Sequence, residues 1–347
     1  MDLNNKIAAF DPNGLGDTSG NIYGLPFTPA EAKLVILPVP WEVTVSYQAG
    51  TALAPEAILE ASFQVDLYDP FVKDAWKLGI SMKEIDQPTK QKSDLLRLKA
   101  ENYIHELSVG FNPDENAELL AIRNEINFAG RELNEWVKNE SLKLLKLGKV
   151  VALLGGDHST PLGLMQALAE KHSYGILHID AHADLREAYE GFEYSHASIM
   201  YNAIQIPQVS RLVQVGIRDY CEAEFNLIES DKRISTFFDR DLKHLEYAGE
   251  TWSTVCDQII DLLPEKVYVS FDIDGLDPKL CPHTGTPVPG GLELEQSLYL
   301  IEKLVYSGRT IIGFDLNEVA PGNDEWDANV AARLLYRLAN MCLVSNQ

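Results

Sequence analysis

Short apolar runs alternate with longer amphipathic stretches along most of the chain. Leu34–Val39, Lys77–Met82, Val150–Leu154, Gly175–Ile179, Leu212–Gly216, Ile234–Phe237, Val267–Phe271 and Thr310–Asp315 are each short and rich in apolar residues, and they predict eight strands. Many are apolar at nearly every position, as a strand covered on both faces must be. The pattern therefore predicts a parallel sheet inside an α/β domain. Most of the segments between these runs are long enough for a helix. Ser93–Leu107 and Pro113–Leu147 read as helices, with Leu133, Trp136 and Val137 at i, i+3, i+4 spacing among Glu, Lys and Asn. Gly148 follows as a C-terminal stop, and Pro55 opens a shorter helix through Ala61. Before Leu34 the period is lost. Asp11-Pro12-Asn13-Gly14 and Gly24-Leu25-Pro26 predict an irregular arm over residues 1–32, anchored by Ile22, Tyr23, Leu25 and Phe27 on the body or on a neighbouring subunit. One catalytic-sized domain is expected over residues 33–347.

Charge narrows the partners. With 52 acidic and 29 basic residues the net charge is -23, which argues against nucleic acid or an anionic membrane and favours a metal or a cationic substrate. No apolar run reaches the length of a membrane span. The first residues lack a basic-then-apolar signal pattern, so a cytoplasmic location is expected. Cys221, Cys256, Cys281 and Cys342 lie far apart with no C-x-x-C pair, the spacing of free thiols in a reducing compartment.

Three polar clusters directly follow predicted strands, at the carboxyl edge where parallel sheets place their sites. The first is Gly155-Gly156-Asp157-His158-Ser159. In the second, Asp180, His182 and Asp184 alternate with Ala181, Ala183 and Leu185, so the strand period sends the polar side chains to one side. In the third, Ser270 to Pro278, Asp272 and Asp274 alternate in the same way. Alone, a Gly-Gly-Asp-His turn is more often just a tight turn, and the Asp-x-Asp-Gly stretch lacks the spacing of a calcium loop. Together they bring two histidines and four aspartates to one edge. Such a set would repel itself in a dry core, and divalent cations resolve that conflict. Two metals can supply hydroxide near neutral pH, and a centre left slightly negative suits a cationic or neutral electrophile better than a phosphate ester. His178, out of register with Asp180, reads as a buried core or supporting histidine.

In this order the three clusters resemble the signatures of the ureohydrolases (arginase, agmatinase, formiminoglutamase and relatives). So do Thr284-Gly285-Thr286-Pro287 with Gly290-Gly291, and Asn317-Glu318-Val319-Ala320-Pro321. The resemblance implies a three-layer α/β/α sandwich around an eight-stranded parallel sheet, and two divalent metal ions per subunit, Mn2+ in the first place and Ni2+ as the alternative. By motif position His158, Asp180, Asp184 and Asp272 would hold one ion, and Asp180, His182, Asp272 and Asp274 the other. Hydroxide bridging the pair would attack a guanidino carbon and yield urea and an amine. His196 would shuttle a proton to the leaving amine, and Glu318 would pair with the guanidinium. Glu187-Ala188-Tyr189-Glu190-Gly191 ahead of Ser195-His196 resembles the agmatinase branch. The arm and Trp41 to Tyr47 are similar to extended members of that branch, some of which hydrolyse free guanidine with nickel. Formiminoglutamate is a further substrate in the class. Outside it stand a metal-dependent deacetylase of related fold, with a single zinc, and a silent binding homologue. Gln48 and His283 are expected to alter the pocket entrance, and a homo-oligomer, trimer or hexamer, is expected from the family.

Overall fold

Eight strands, β1 (Leu34–Val39), β2 (Ile80–Met82), β3 (Val150–Gly155), β4 (Tyr174–Ile179), β5 (Val209–Ile217), β6 (Ile234–Phe238), β7 (Lys266–Asp272) and β8 (Thr310–Asn317), form one sheet. The computed structural model describes residues 2–14, 16–18 and 20–347. Every pairing is parallel, and the order is β2-β1-β3-β8-β7-β4-β5-β6. β4 and β7 are buried along almost their whole length, which is why their sequences show no polar alternation.

The chain path explains where a site can form. After β1 the chain runs outward to β2 and returns to β3. It then places β4 beyond a gap and runs outward the other way through β5 and β6. β7 and β8 fill the gap last. The reversal of direction between β3 and β4 opens a crevice at the carboxyl ends of the four central strands. Helices pack in two groups on the sheet. Ala54–Ser62 and Leu294–Tyr306 both pack on Trp326–Ser345, which also rests on β8. Gln87–Ser108, Ala117–Lys146 and Leu162–Ala169 form the other group, with Ala117–Lys146 against β3 and β1. This is the α/β sandwich expected, with helices burying both faces of the sheet. Among the described residues no helix is long and apolar enough to cross a membrane.

Local rules moved several boundaries. The helix predicted from Ser93 begins at Gln87, because the Asp86 side chain accepts from the Thr89 amide (2.9 Å) and caps it. The one predicted from Pro113 begins at Ala117, where Asn116 caps two amides, and Pro113–Glu115 is a separate turn. β2 starts at Ile80 and not Lys77, because Gly79 takes φ +90 and breaks the extended run. The arm is not wholly irregular: Leu3–Ala9 is a helix, capped by Asp2, whose side chain accepts from the Asn5 amide (2.9 Å). Its four expected anchors are buried against this chain's own body, and the Tyr23 hydroxyl donates to the Ala332 carbonyl (2.9 Å). All four cysteines are free.

One loop is tied by charge. Asp327, buried at the start of the Trp326–Ser345 helix, accepts from the His283 amide (3.1 Å) and pairs with His283 Nδ1 (2.8 Å). That hydrogen bond raises the His283 pKa above its ordinary value. A raised folded-state pKa gives stability that is fully present below the unfolded value of about 6.5 and fades as pH rises through the folded value. His283→Asn is therefore expected to lower the melting temperature at pH 5.5 more than at pH 9. The effect is small because the ring is half-exposed, and equal differences at both pH values would contradict it.

Candidate metal centre

Two glycines bring the first cluster into place. A Cβ on Gly155 would lie 1.7 Å from Asn317 Oδ1, and one on Gly156 would lie 1.9 Å from the Trp41 carbonyl oxygen. Only glycine lets the chain leave β3 between β1 and β8 and deliver His158 inward. There His158 Nδ1 meets Asp180 Oδ2 at 3.1 Å, Asp184 Oδ2 at 3.3 Å and Asp272 Oδ2 at 3.2 Å. Beside this group, His182 Nδ1 lies 3.0 Å from Asp274 Oδ2 and 3.5 Å from Asp180 Oδ1. All six side chains predicted as ligands thus converge, and Asp180 faces both histidines.

The donor chemistry fits divalent metals. An imidazole nitrogen has one proton at most to give, yet three carboxylate oxygens face this one within 3.3 Å. The other nitrogen is already committed. His158 Nε2 lies 2.9 Å from Ser270 Oγ, whose hydroxyl donates to Asp315 Oδ1 (3.0 Å), so Nε2 is the protonated nitrogen and Nδ1 presents its lone pair. A cation among the four atoms satisfies all of them. The carboxylates also strain against one another. Burial, and then the charge of Asp180, push Asp184 up to about 6. Burial and then Asp274 and Asp180 push Asp272 well above its ordinary value. Asp180 is buried too, but His178 and the hydrogen bonds of His158 hold it well below. Bound cations would relieve the repulsion.

Supporting groups that sequence reasoning missed fix these ligands. Asn317 donates to Asp315 Oδ1 (2.5 Å) and Thr160 donates to Asn317 Oδ1 (2.8 Å), which holds the acid that orients His158. The signal was present: Asp315 and Asn317 are polar at period two in an otherwise apolar strand. His178 is buried, as expected. Gln214 Nε2 lies 3.0 Å from its Nδ1, leaving Nε2 to donate to Asp180 Oδ2 (2.8 Å). The backbone completes the set, with the His182 amide donating to Asp180 Oδ1 (2.6 Å) and the Asp274 amide to Asp272 Oδ1 (2.8 Å).

A cavity of about 480 Å³ opens on this cluster, lined by His182, Asp184 and His196 together with Tyr189, Arg186, Asp219, Tyr220 and Glu224. Gln48 lines it as expected, together with Tyr47. His283 does not; it is turned to Asp327. Glu318 is buried and is not part of this lining. It takes φ +62, its Oε1 accepts from the His158 amide (2.7 Å), and Oε2 lies 3.3 Å from where a Cβ on Gly285 would stand. Burial, and then the charge of Asp157, raise its pKa well above the carboxylate range. Burial, then His182 and His158, lower that of His196 to about 3, so the ring is neutral at physiological pH.

A parallel sheet carries at its carboxyl edge a donor set that could hold metal, and known proteins narrow the class. The chain belongs to the Arginase family, whose model matches residues 32–340, and this makes it an enzyme of the ureohydrolase class. It is 34% identical over 307 residues to N(1)-aminopropylagmatine ureohydrolase of Thermus thermophilus, covering 88% of this chain and 89% of the relative. It is 28% identical to an agmatinase of Bacillus anthracis, over 87% of this chain and 88% of the relative. The solved agmatine ureohydrolase of Thermoplasma volcanium shares the fold, with a TM-score of 0.68 at 23% identity over 98% of this chain and 97% of that one.

Proposed function

We propose that the protein hydrolyses a guanidino C–N bond in a small cationic compound, agmatine or a close analogue, releasing urea and an amine. The observation that carries this reading is the convergence of His158 with three carboxylates beside the His182–Asp274 pair, on a cavity that His196 also lines. His158, Asp180, Asp184 and Asp272 would hold one ion, and Asp180, His182, Asp272 and Asp274 a second, manganese first and nickel second. When bound, the two ions would lower the pKa of water enough to give a nucleophile at neutral pH. The chain's own groups do the rest. Asp219 is an acidic group on the cavity wall that suits a cationic tail. Glu318 is the acid we assign to the guanidinium by its motif position alone; it is buried, its Oε1 accepts from the His158 amide, and it does not line the cavity. His196, neutral and half-buried on the cavity wall, takes a proton and passes it to the departing amine.

His196→Asn is expected to lower kcat by about 10²–10⁴-fold while bound metal stays at the wild-type level. Full activity in that variant would remove the proton-transfer role. The substrate is tested by urea release from metal-loaded protein with agmatine, N(1)-aminopropylagmatine, arginine, guanidino acids and free guanidine side by side. Formiminoglutamate is followed as formamide. Fast turnover of agmatine or its aminopropyl derivative is the expected result, and no release from any guanidino compound would overturn the reading. Tyr47 and Gln48 on the cavity wall favour one alternative, a pocket closed over free guanidine. Turnover of guanidine alone would decide for it.

A further inference from the structure

The turn that follows β1 contributes no ligand, yet it reaches His196. The His196 amide donates to Thr44 Oγ1 (3.2 Å), and the same oxygen lies 3.5 Å from His196 Nδ1. Ser195 Oγ lies 3.3 Å from that nitrogen on the same side. The Tyr189 ring meets the imidazole edge-on, at 90° with centroids 6.1 Å apart, which limits its rotation. Thr44 is itself buried and clamped. Arg97, from the Gln87–Ser108 helix, donates to the Val43 carbonyl (3.4 Å) and to that of Val45, one residue on either side. The Glu42 amide donates to Ser93 Oγ (3.0 Å), and the Glu42 carboxylate accepts from the Gly50 amide (2.6 Å), closing the turn.

We propose that Thr44 is a positioning residue for His196, its hydroxyl holding Nδ1 so that Nε2 is the nitrogen presented to the reacting group. The proposal rests on the reading of His196 as the proton carrier. A hydroxyl oxygen has two lone pairs, so Thr44 Oγ1 can accept from the His196 amide and from Nδ1–H together. A neutral ring that donates from Nδ1 keeps its lone pair on Nε2, where it can take a proton and then pass it to the leaving amine, ending neutral again. Threonine suits the task because its branched Cβ leaves little freedom at χ1. A hydroxyl fixed by a clamped turn orients the ring before substrate arrives, and placement of this kind governs rate more than binding.

The test compares Thr44→Val, of the same shape without the hydroxyl, with Thr44→Ser, which keeps it. Urea release and bound metal are measured in each, alone and with His196→Asn. Thr44→Val is expected to lose about 10- to 100-fold in kcat with KM changed less than about threefold and metal retained. Thr44→Ser is expected to recover most of that rate. In the His196→Asn background Thr44→Val should cost nothing more, since the group it positions is gone. An equal loss in that background, or serine no better than valine, would overturn the proposal. Long-range proton–nitrogen NMR of the wild-type ring needs no variant to fold: the Nδ1–H tautomer is expected, and the Nε2–H tautomer would sink it. Full activity in His196→Asn alone would instead remove the underlying reading, and this proposal with it.

Discussion

Asp180→Ala is expected to lose bound metal at both positions and to reduce urea release by at least about a thousandfold, the equivalent of several kcal/mol of lost charge stabilisation. No other ligand is placed as centrally. Its Oδ2 faces His158 Nδ1 (3.1 Å) and accepts from His178 (2.8 Å), while Oδ1 accepts from the His182 amide (2.6 Å) and lies 3.5 Å from His182 Nδ1. Removing it takes an oxygen from each half of the cluster and frees both histidines to turn. The metal-free protein should also be less stable, because Asp180, held well below its ordinary pKa, is the carboxylate that His158, His178 and the His182 amide pair with. Metal analysis, urea release and a melt without metal check the three parts together. Retained metal with wild-type turnover would overturn the ligand assignment.

Gly156→Ala is expected to cost about 3 kcal/mol or more and to drop the melting temperature by roughly 5 °C or more. A methyl group there would stand 1.9 Å from the Trp41 carbonyl oxygen and 2.8 Å from the Trp41 carbonyl carbon and nitrogen, all backbone atoms that no rotamer change can move. The same contact carries three hydrogen bonds. The Gly156 amide donates to Val39 (3.0 Å), the Asp157 amide to Trp41 (2.8 Å) and the Glu318 amide to Gly156 (2.9 Å). To relieve the clash β1 and β3 must part where they deliver Thr44 and His158, so metal affinity should fall with stability. A melting temperature within a degree of wild type, with full metal content, would show that the turn yields more easily than its packing indicates.

The ligands were legible because polar residues gather directly after apolar strands, although the period-two reading itself did not hold. β4 ends at Ile179, Asp184 takes φ +53 and Asp274 lies in a 3-10 turn after β7. It is these turns that bring Asp180, Asp184 and Asp272 to His158 and pair His182 with Asp274. Their supports were less visible. Ser270, Asp315, Asn317 and Thr160 act through hydrogen bonds between β3, β7 and β8, whose adjacency depends on strand order, and strand order is not a property of any one segment. Thr44 is harder still, since it lies 152 residues from His196 and touches it through a single hydroxyl. The Leu3–Ala9 helix escaped for the opposite reason. It is only seven residues long, its apolar pair Leu3 and Ile7 is only partly buried, and it relies on a local cap. Glu318 was found by motif, but its contact with the His158 amide, off the cavity wall, needed the fold.

The most direct test of the account is the number of metal equivalents each subunit holds at saturation, measured by elemental analysis after loading with manganese or nickel and removal of excess. Two sets of ligands sharing Asp180 and Asp272 require close to two per subunit, reached together with full urea release. A value near one in fully active protein would contradict the shared-ligand centre and leave a single-metal hydrolase in its place.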